Sequence, residues 1–118
     1  VVGGPLNSQQ VLEAYAEASL TIGASDFEGG PMSLQEGMRV GTPLVSYPSS
    51  YLLLDYLPEV GYLAEERSVE ALTKQLRLAI GDDELRAKKS ALCVEKSSIF
   101  SPEYIVRCWE KVFESIHR

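Results

Sequence analysis

Apolar and polar positions along the chain predict short strands that alternate with amphipathic helices. Two short apolar runs, residues 20–24 and 43–47, predict buried strands, and residues 61–64 predict a last short strand. Before the first run, apolar residues recur at helical spacing. They predict a helix that Ser8 caps and that runs to about Ala18.

The segments after the first two runs also carry helix signals. Pro31 suits the first turn of a helix that runs to about Val40, and Gly41 is a natural stop for it. Further helices are predicted from Tyr51 to Leu57, from the Ser68 cap to Gly81, from Asp83 to Ser97, and from Pro102 onwards. The last helix has an apolar stripe that predicts packing into the core, formed by Ile105, Trp109, Val112, Phe113 and Ile116.

This order of elements predicts an α/β fold, a Rossmann-like parallel sheet of three or four strands flanked by helices. Residues 1–118 are long enough for one domain with a core of its own. Residues 1–3 are expected to be the end of a further strand, and sheets of this kind usually have five or six strands. We therefore expect the first strands of the domain to lie upstream of Val1.

Charge and cysteine content limit the partners and the compartment. The net charge is −6 and residues 1–38 contain no Lys or Arg, which argues against a nucleic-acid partner. Cys93 and Cys108 lie in predicted helices, so both are expected to be buried or half-buried free thiols. Free thiols favour a reducing compartment, the cytoplasm or the cytoplasmic face of a membrane.

The segment from Glu28 to Glu36, EGGPMSLQE, follows a predicted strand and opens a helix. Ligands of open α/β sheets bind where strands end, and this loop leaves such an end. Gly29 and Gly30 let the backbone approach a ligand closely. The helix start presents free N–H groups, which suit a phosphate. Those N–H groups belong to Met32, Ser33 and Leu34.

Glu36 lies one turn after Met32, so its carboxylate can face the same pocket. A carboxylate accepts two hydroxyl hydrogen bonds, as a ribose 2′,3′-diol requires. The residues alone leave a second interpretation open. A Gly-Gly turn precedes a helix in many α/β proteins, and both Glu28 and Glu36 could be ordinary surface residues.

The spacing Glu28-x7-Glu36, followed by Gly41-Thr42-Pro43-Leu44-Val45, resembles the signature of retaining, nucleotide-sugar-dependent glycosyltransferases of GT-B fold. The upstream segments VVGG, VLEAYAEA, LTIGA and SDFE are similar to the pattern that precedes this signature in the family. The resemblance covers nearly the whole chain. It implies that residues 1–118 are the C-terminal, nucleotide-sugar-binding domain, without its first strands and without the N-terminal acceptor domain.

The resemblance also implies roles for individual residues. Glu28 would contact hydroxyls of the donor sugar as the catalytic candidate, and Glu36 would hold the ribose. Backbone amides from Gly29 to Ser33 would hold the sugar and the diphosphate, except at Pro31, which has no N–H. No metal and no cofactor are implied.

The implied reaction transfers a sugar, with retention, from a nucleoside-diphosphate sugar to an acceptor hydroxyl in polysaccharide biosynthesis. An acceptor glycan or lipid would bind to the missing N-terminal domain. Two alternatives are a nucleotide-sugar epimerase-like enzyme and a non-catalytic binding domain of the same fold.

Departures from the family pattern and the distribution of charge add further expectations. The family often has Gly-Gly and a glutamate after the second strand, where this chain has Pro48-Ser49-Ser50. It also supplies an Arg and a Lys from upstream, and none occurs here before Arg39, so the isolated chain is expected to be inactive. We expect a cytoplasmic protein, in solution or at the inner face of a membrane, and the oligomeric state is left open.

Overall fold

The computed structural model describes residues 3–117, and its centre is a small sheet with helices on both faces. The strands are β1 (Thr21–Gly23), β2 (Leu44–Ser46) and β3 (Tyr62–Leu63). The α-helices are α1 (Ser8–Glu17), α2 (Met32–Val40), α3 (Tyr51–Val60), α4 (Val69–Gly81), α5 (Asp83–Lys96) and α6 (Pro102–Ile116). A 3-10 turn, Ser97–Phe100, joins α5 to α6. Of the strand end expected at residues 1–3, Val1 and Val2 lie outside the described residues, and Gly3 is not in a strand.

The three strands are parallel and lie in the order β1-β2-β3. Ile22 is opposite Val45, and Val45 is opposite Tyr62, so these three residues share one face of the sheet. The predicted fold class, a Rossmann-like parallel sheet flanked by helices, is confirmed. Because the strands are parallel, their carboxyl ends meet at a single edge of the sheet.

Two apolar clusters attach the helices to the sheet. On one face, Leu44 packs with residues of α2, α3 and α5, among them Leu34 and Leu57. On the other face, Val45 packs with Ala79 of α4. Each fully buried leucine or valine side chain stabilises the fold by roughly 1.5–3 kcal/mol. This packing fixes α2 across the sheet, with its first residue at the carboxyl edge.

Strand β1 lies where the sequence predicts it, but its outer face is not buried. Ile22 is 57% exposed although it shares a face with Val45. Helix α4, which covers that face, packs mainly against β2 and β3. The prediction of a buried strand was therefore wrong for β1, because the covering helix lies over the other two strands.

Two helix boundaries differ from the prediction. Asn7, rather than Ser8, caps α1: its side-chain oxygen accepts from the Gln10 N–H at 2.9 Å, and its own backbone N–H donates to the Gln10 side-chain oxygen at 3.0 Å. Helix α3 continues past Pro58 to Val60. Its last turn is kept because Val60 is buried in the core.

The predicted core packing of α6 is wrong. The five apolar residues of its stripe are exposed, from 43% for Ile105 to 73% for Ile116. Helix α6 packs mainly against the 3-10 turn, so the spacing that predicts the helix does not bring its apolar face to the core. Cys108, on the same helix, is exposed rather than buried. Cys93 is buried as expected, and burial raises the pKa of its thiol to about 11.

Candidate functional site

Loops that follow the three strands meet at the carboxyl edge of the sheet. The Glu28 N–H donates to the Ser49 carbonyl at 2.9 Å, which joins the loop after β1 to the loop after β2. Arg67, in the loop after β3, forms an exposed ion pair with Asp26, with 3.7 Å between Nε and Oδ1. These contacts hold the Glu28 loop at the edge where ligands of open α/β sheets bind.

Helix α2 begins at this edge without a side-chain cap. Pro31 occupies the N-cap position in an extended conformation, and it has no polar side chain to accept a hydrogen bond. Each of the other described α-helices has a side-chain cap, from Asn7, Ser50, Ser68, Asp82 and Ser101 in turn. The first N–H groups of α2 therefore keep their hydrogen-bonding capacity and carry the positive end of the helix dipole.

The amides predicted to bind an anion all belong to the first turn of α2. Met32 is exposed and Ser33 is half-buried, whereas the Leu34 side chain is 2% exposed and packs in the core. Leu34 therefore has only its backbone N–H to offer a ligand. A helix start with free N–H groups is the kind of site that binds a phosphate, so the predicted anion site stays a prediction.

Gly29 and Gly30 lie in open space directly before the helix. Neither has a positive φ angle, and a Cβ built on either residue would meet no atom within 4 Å. The fold itself therefore does not require glycine at these positions. A ligand that comes close to the backbone is a physical reason for their small size.

Glu36 lines a cleft of about 610 Å³ between α1, α2 and the 3-10 turn. Met32, one turn earlier, and Arg39, one turn later, line the same cleft, so the structure brings Met32 and Glu36 together as predicted. Glu28 and the two glycines are not among the residues that line it. They lie in the loop before the helix, held by the Ser49 carbonyl.

The structure adds Tyr15 to the surroundings of Glu36. Burial raises the pKa of the Tyr15 hydroxyl, and the nearby charge of Glu36 raises it further. Sequence reasoning missed this neighbour because Tyr15 lies on a different helix, α1. Its place in the segment VLEAYAEA was visible, but nothing in its spacing points to Glu36.

Arg67 is a second residue near the site that the sequence did not indicate. It brings a guanidinium to the carboxyl edge of the sheet. Its carboxylate partner, Asp26, is 79% exposed, so the pair is open to solvent. The sequence does not reveal the contact between Arg67 and Asp26, because Arg67 follows the last strand of the sheet and lies far from Asp26 along the chain.

Among residues 3–117, no group of three or more His, Cys, Asp or Glu side chains is placed to hold a metal ion. Within the same residues, no helix combines the length and the apolar character that crossing a membrane requires.

A parallel sheet flanked by helices, with a glycine loop and an open helix start at its carboxyl edge, defines a Rossmann-like domain. The sequence profile of the glycosyl transferases group 1 family matches residues 1–91. The chain belongs to this family. Its fold matches the crystal structure of the C-terminal domain of a glycosyl transferase group 1 protein, LpcC of Francisella tularensis. The TM-score is 0.68 at 22% identity, over 80% of this chain and 49% of that one.

Curated relatives carry related names. The chain is 25% identical over 105 residues to the amylovoran biosynthesis glycosyltransferase AmsD of Erwinia amylovora, covering 89% of this chain and 30% of that protein. It is 32% identical over 115 residues to an exopolysaccharide phosphotransferase of Streptomyces coelicolor, covering 92% of this chain and 12% of that protein. An uncharacterized glycosyltransferase of Haemophilus influenzae is 31% identical, over 85% of this chain and 27% of that protein. The chain thus spans less than a third of each relative.

Proposed function

We propose that this chain binds a nucleoside-diphosphate sugar at the carboxyl edge of its sheet and serves a glycosyltransferase that retains the anomeric configuration. The observation that carries the proposal is the start of α2. It has no side-chain cap, it follows two glycines in open space, and glutamates lie before and after it. Family membership gives the reaction class, glycosyl transfer.

Each part of the donor has a candidate partner at this edge. The N–H groups of Met32, Ser33 and Leu34 stabilise the diphosphate as it departs, since they are fixed in place before the reaction. The carboxylate of Glu28 contacts hydroxyls of the sugar, and that of Glu36 accepts from the ribose diol. Gly29 and Gly30 give the donor close access to the backbone.

We also propose that the chain is the C-terminal, donor-binding part of a longer GT-B enzyme. It spans less than half of the C-terminal domain structure that it resembles, and a smaller share of the curated relatives. The exposed face of Ile22 fits a sheet that continues past β1. In this proposal, the remaining part binds the acceptor glycan or lipid and supplies cations for the diphosphate, so the isolated chain is inactive.

The names of two relatives support a role in surface polysaccharide synthesis, since they refer to amylovoran and to exopolysaccharide. We propose that the enzyme uses neither a resident metal nor a cofactor and works in the cytoplasm, in solution or at the inner face of a membrane. In such a site, the amides of α2 and nearby cations would carry the charge stabilisation that a metal supplies elsewhere.

The test is a two-dimensional NMR titration of the ¹⁵N-labelled chain with UDP, GDP and ADP, repeated on the polypeptide expressed from its complete reading frame. We expect one nucleotide to shift amide signals from Gly29 to Glu36. In the complete enzyme, Glu28→Gln should lower kcat at least about a hundredfold, because it weakens contacts made in the transition state. Glu36→Ala should mainly weaken nucleotide binding, by about tenfold.

Glu110→Gln provides the matched control, since Glu110 is an exposed glutamate on α6, away from the sheet edge. Wild-type kinetics in both the Glu28 and Glu36 variants would overturn the site. Nucleotide binding to the complete protein without any transfer of sugar would instead favour a non-catalytic binding domain.

A further inference from the structure

The loops at the carboxyl edge of the sheet carry far more negative than positive charge. The loop after β1 carries Asp26 and Glu28, and the loop after β3 carries Glu65, Glu66 and Arg67. The loop after β2 carries no charged residue. Arg67 is therefore the single cation in these three loops, all of which the structure describes. An anion that binds at this edge meets several carboxylates, and Arg67 is the one side chain of these loops that can offset them.

The contact of Arg67 crosses the carboxyl end of the sheet. Arg67 follows β3, and its Nε lies 3.7 Å from Oδ1 of Asp26, which follows β1. Since β2 lies between these two strands, the contact spans two strand spacings, about 10 Å in a parallel sheet. Two residues after Asp26, the Glu28 N–H donates to the Ser49 carbonyl at 2.9 Å. The guanidinium thus lies beside the loop that leads into the start of α2.

The ion pair between Arg67 and Asp26 is loose. Its 3.7 Å separation exceeds the roughly 2.7–2.9 Å of a hydrogen bond between charged groups. The two side chains are 59% and 79% exposed, so water and salt screen their attraction. Exposed pairs of this kind contribute little to stability. The guanidinium can therefore leave Asp26 for a stronger partner with little loss of stability.

We propose that Arg67 is a donor-binding residue that changes partner, from Asp26 in the free protein to the diphosphate of the bound donor. This inference rests on the donor site proposed at the start of α2. A planar guanidinium matches phosphate oxygens through two parallel hydrogen bonds, and a diphosphate carries more charge than one carboxylate. The diphosphate is therefore the stronger partner. Asp26 competes with it and weakens donor binding by holding the guanidinium in the free protein.

Substitution of the two partners should change nucleotide affinity in opposite directions. In the polypeptide expressed from its complete reading frame, we would measure the Kd of UDP, GDP and ADP by titration calorimetry. For the nucleotide that binds, Arg67→Gln should raise Kd about tenfold, because a charge-assisted hydrogen bond is lost. Asp26→Asn should lower Kd about two- to fivefold, because the guanidinium is no longer held by a carboxylate.

The opposite signs exclude a purely structural role of the pair. If the ion pair only fastened the two loops together, both variants would raise Kd, and that result would overturn the inference. Arg77→Gln is the control, since Arg77 is exposed on α4 and lies outside the three loops. It should leave Kd unchanged.

A double variant separates competition for Arg67 from direct repulsion between Asp26 and the ligand. In the Arg67→Gln background, Asp26→Asn should have little effect on Kd, because no guanidinium remains to be released. An equal fall in Kd in both backgrounds would mean that Asp26 only repels the nucleotide. The exchange of partners would then be wrong.

NMR of the arginine side chains observes the exchange directly. The Nε–H signal of Arg67, assigned by its absence from Arg67→Gln, should shift when the nucleotide that binds is added. The matching nucleoside (uridine, guanosine or adenosine) has no diphosphate and should leave the signal in place. The Nε–H signal of Arg77 should not respond to either ligand. A stationary Arg67 signal at saturating nucleotide would show that the guanidinium does not reach the diphosphate.

These outcomes also distinguish the inference from the proposed function. If no amide from Gly29 to Glu36 shifts with any nucleotide and Glu36→Ala leaves Kd unchanged, the proposed donor site fails. If both respond and Arg67→Gln keeps the wild-type Kd, only the exchange of partners fails. The diphosphate would then be held by α2 and by cations outside these loops.

Discussion

At the scale of single residues, different physical reasons explain why positions near α2 are occupied by glycine, which has no side chain. Gly41 ends the helix with φ at 79°, a conformation that side chains rarely adopt. A Cβ on Gly37 would lie 2.7 Å from the Thr42 carbonyl oxygen, so the fold excludes one there. Gly29 and Gly30 meet neither restriction. Their absence of side chains therefore matches the proposed donor and not the packing of the chain.

Gly30→Ala is expected to separate binding from folding. Its free energy of unfolding should stay the same or rise by up to about 1 kcal/mol, because alanine restricts the unfolded chain. In the complete enzyme, the nucleotide Kd should rise about tenfold or more, because the new methyl group lies where the ligand approaches. Urea unfolding and NMR titration measure the two effects. Gly37→Ala is the contrasting variant and should lose at least about 1 kcal/mol of stability. Unchanged nucleotide affinity in Gly30→Ala would place the ligand elsewhere.

The sequence predicts the part of this site that one short segment forms, but it does not predict the residues that other elements bring to the site. The loop, the helix start and the side of α2 that carries Glu36 all follow from residues within one short segment. Tyr15 and Arg67 come from elements far along the chain, and only the folded sheet and helices bring them near. Pattern and spacing describe neighbours on one element, so contacts between elements stay hidden.

At the scale of elements, α6 shows what an apolar stripe does and does not predict. The stripe and the Ser101-Pro102 start predict the helix correctly. They do not predict which surface the stripe packs against. Trp109 and Phe113 stack on each other with ring centroids 5.7 Å apart, and both remain more than half exposed. Strand β1 is a second example, since its apolar residues form the predicted strand although Ile22 remains exposed.

Trp109→Ala is expected to have little effect on the stability of this chain. The side chain is 57% exposed, so its removal loses mainly the stack with Phe113, about 1 kcal/mol or less. Leu57→Ala, at a fully buried position, should cost about 2–5 kcal/mol and calibrates the measurement. Thermal unfolding followed by circular dichroism distinguishes the two. A loss for Trp109→Ala as large as that for Leu57→Ala would mean that α6 is docked.

At the scale of the whole molecule, the sheet is covered unevenly. One face is closed by α2, α3 and α5, and the other is closed by α4 over β2 and β3. Beside β1, Leu6, Val11, Ala14, Tyr15 and Thr21 line an open hollow of about 270 Å³. The exposed Ile22 and this hollow both lie at the β1 side of the sheet. In the proposed longer enzyme, further strands and their helices cover this side.

Ile22→Asn tests that proposal because its cost depends on what lies over β1. In this chain the change should alter the free energy of unfolding by less than about 1 kcal/mol, since Ile22 is already 57% exposed. In the polypeptide expressed from its complete reading frame, the same change should cost about 2 kcal/mol or more. There the asparagine amide would be buried without hydrogen-bond partners. Ile80→Asn, at a 62% exposed position on α4, should cost little in both forms. An equally small cost for Ile22→Asn in both forms would mean that the sheet ends at β1.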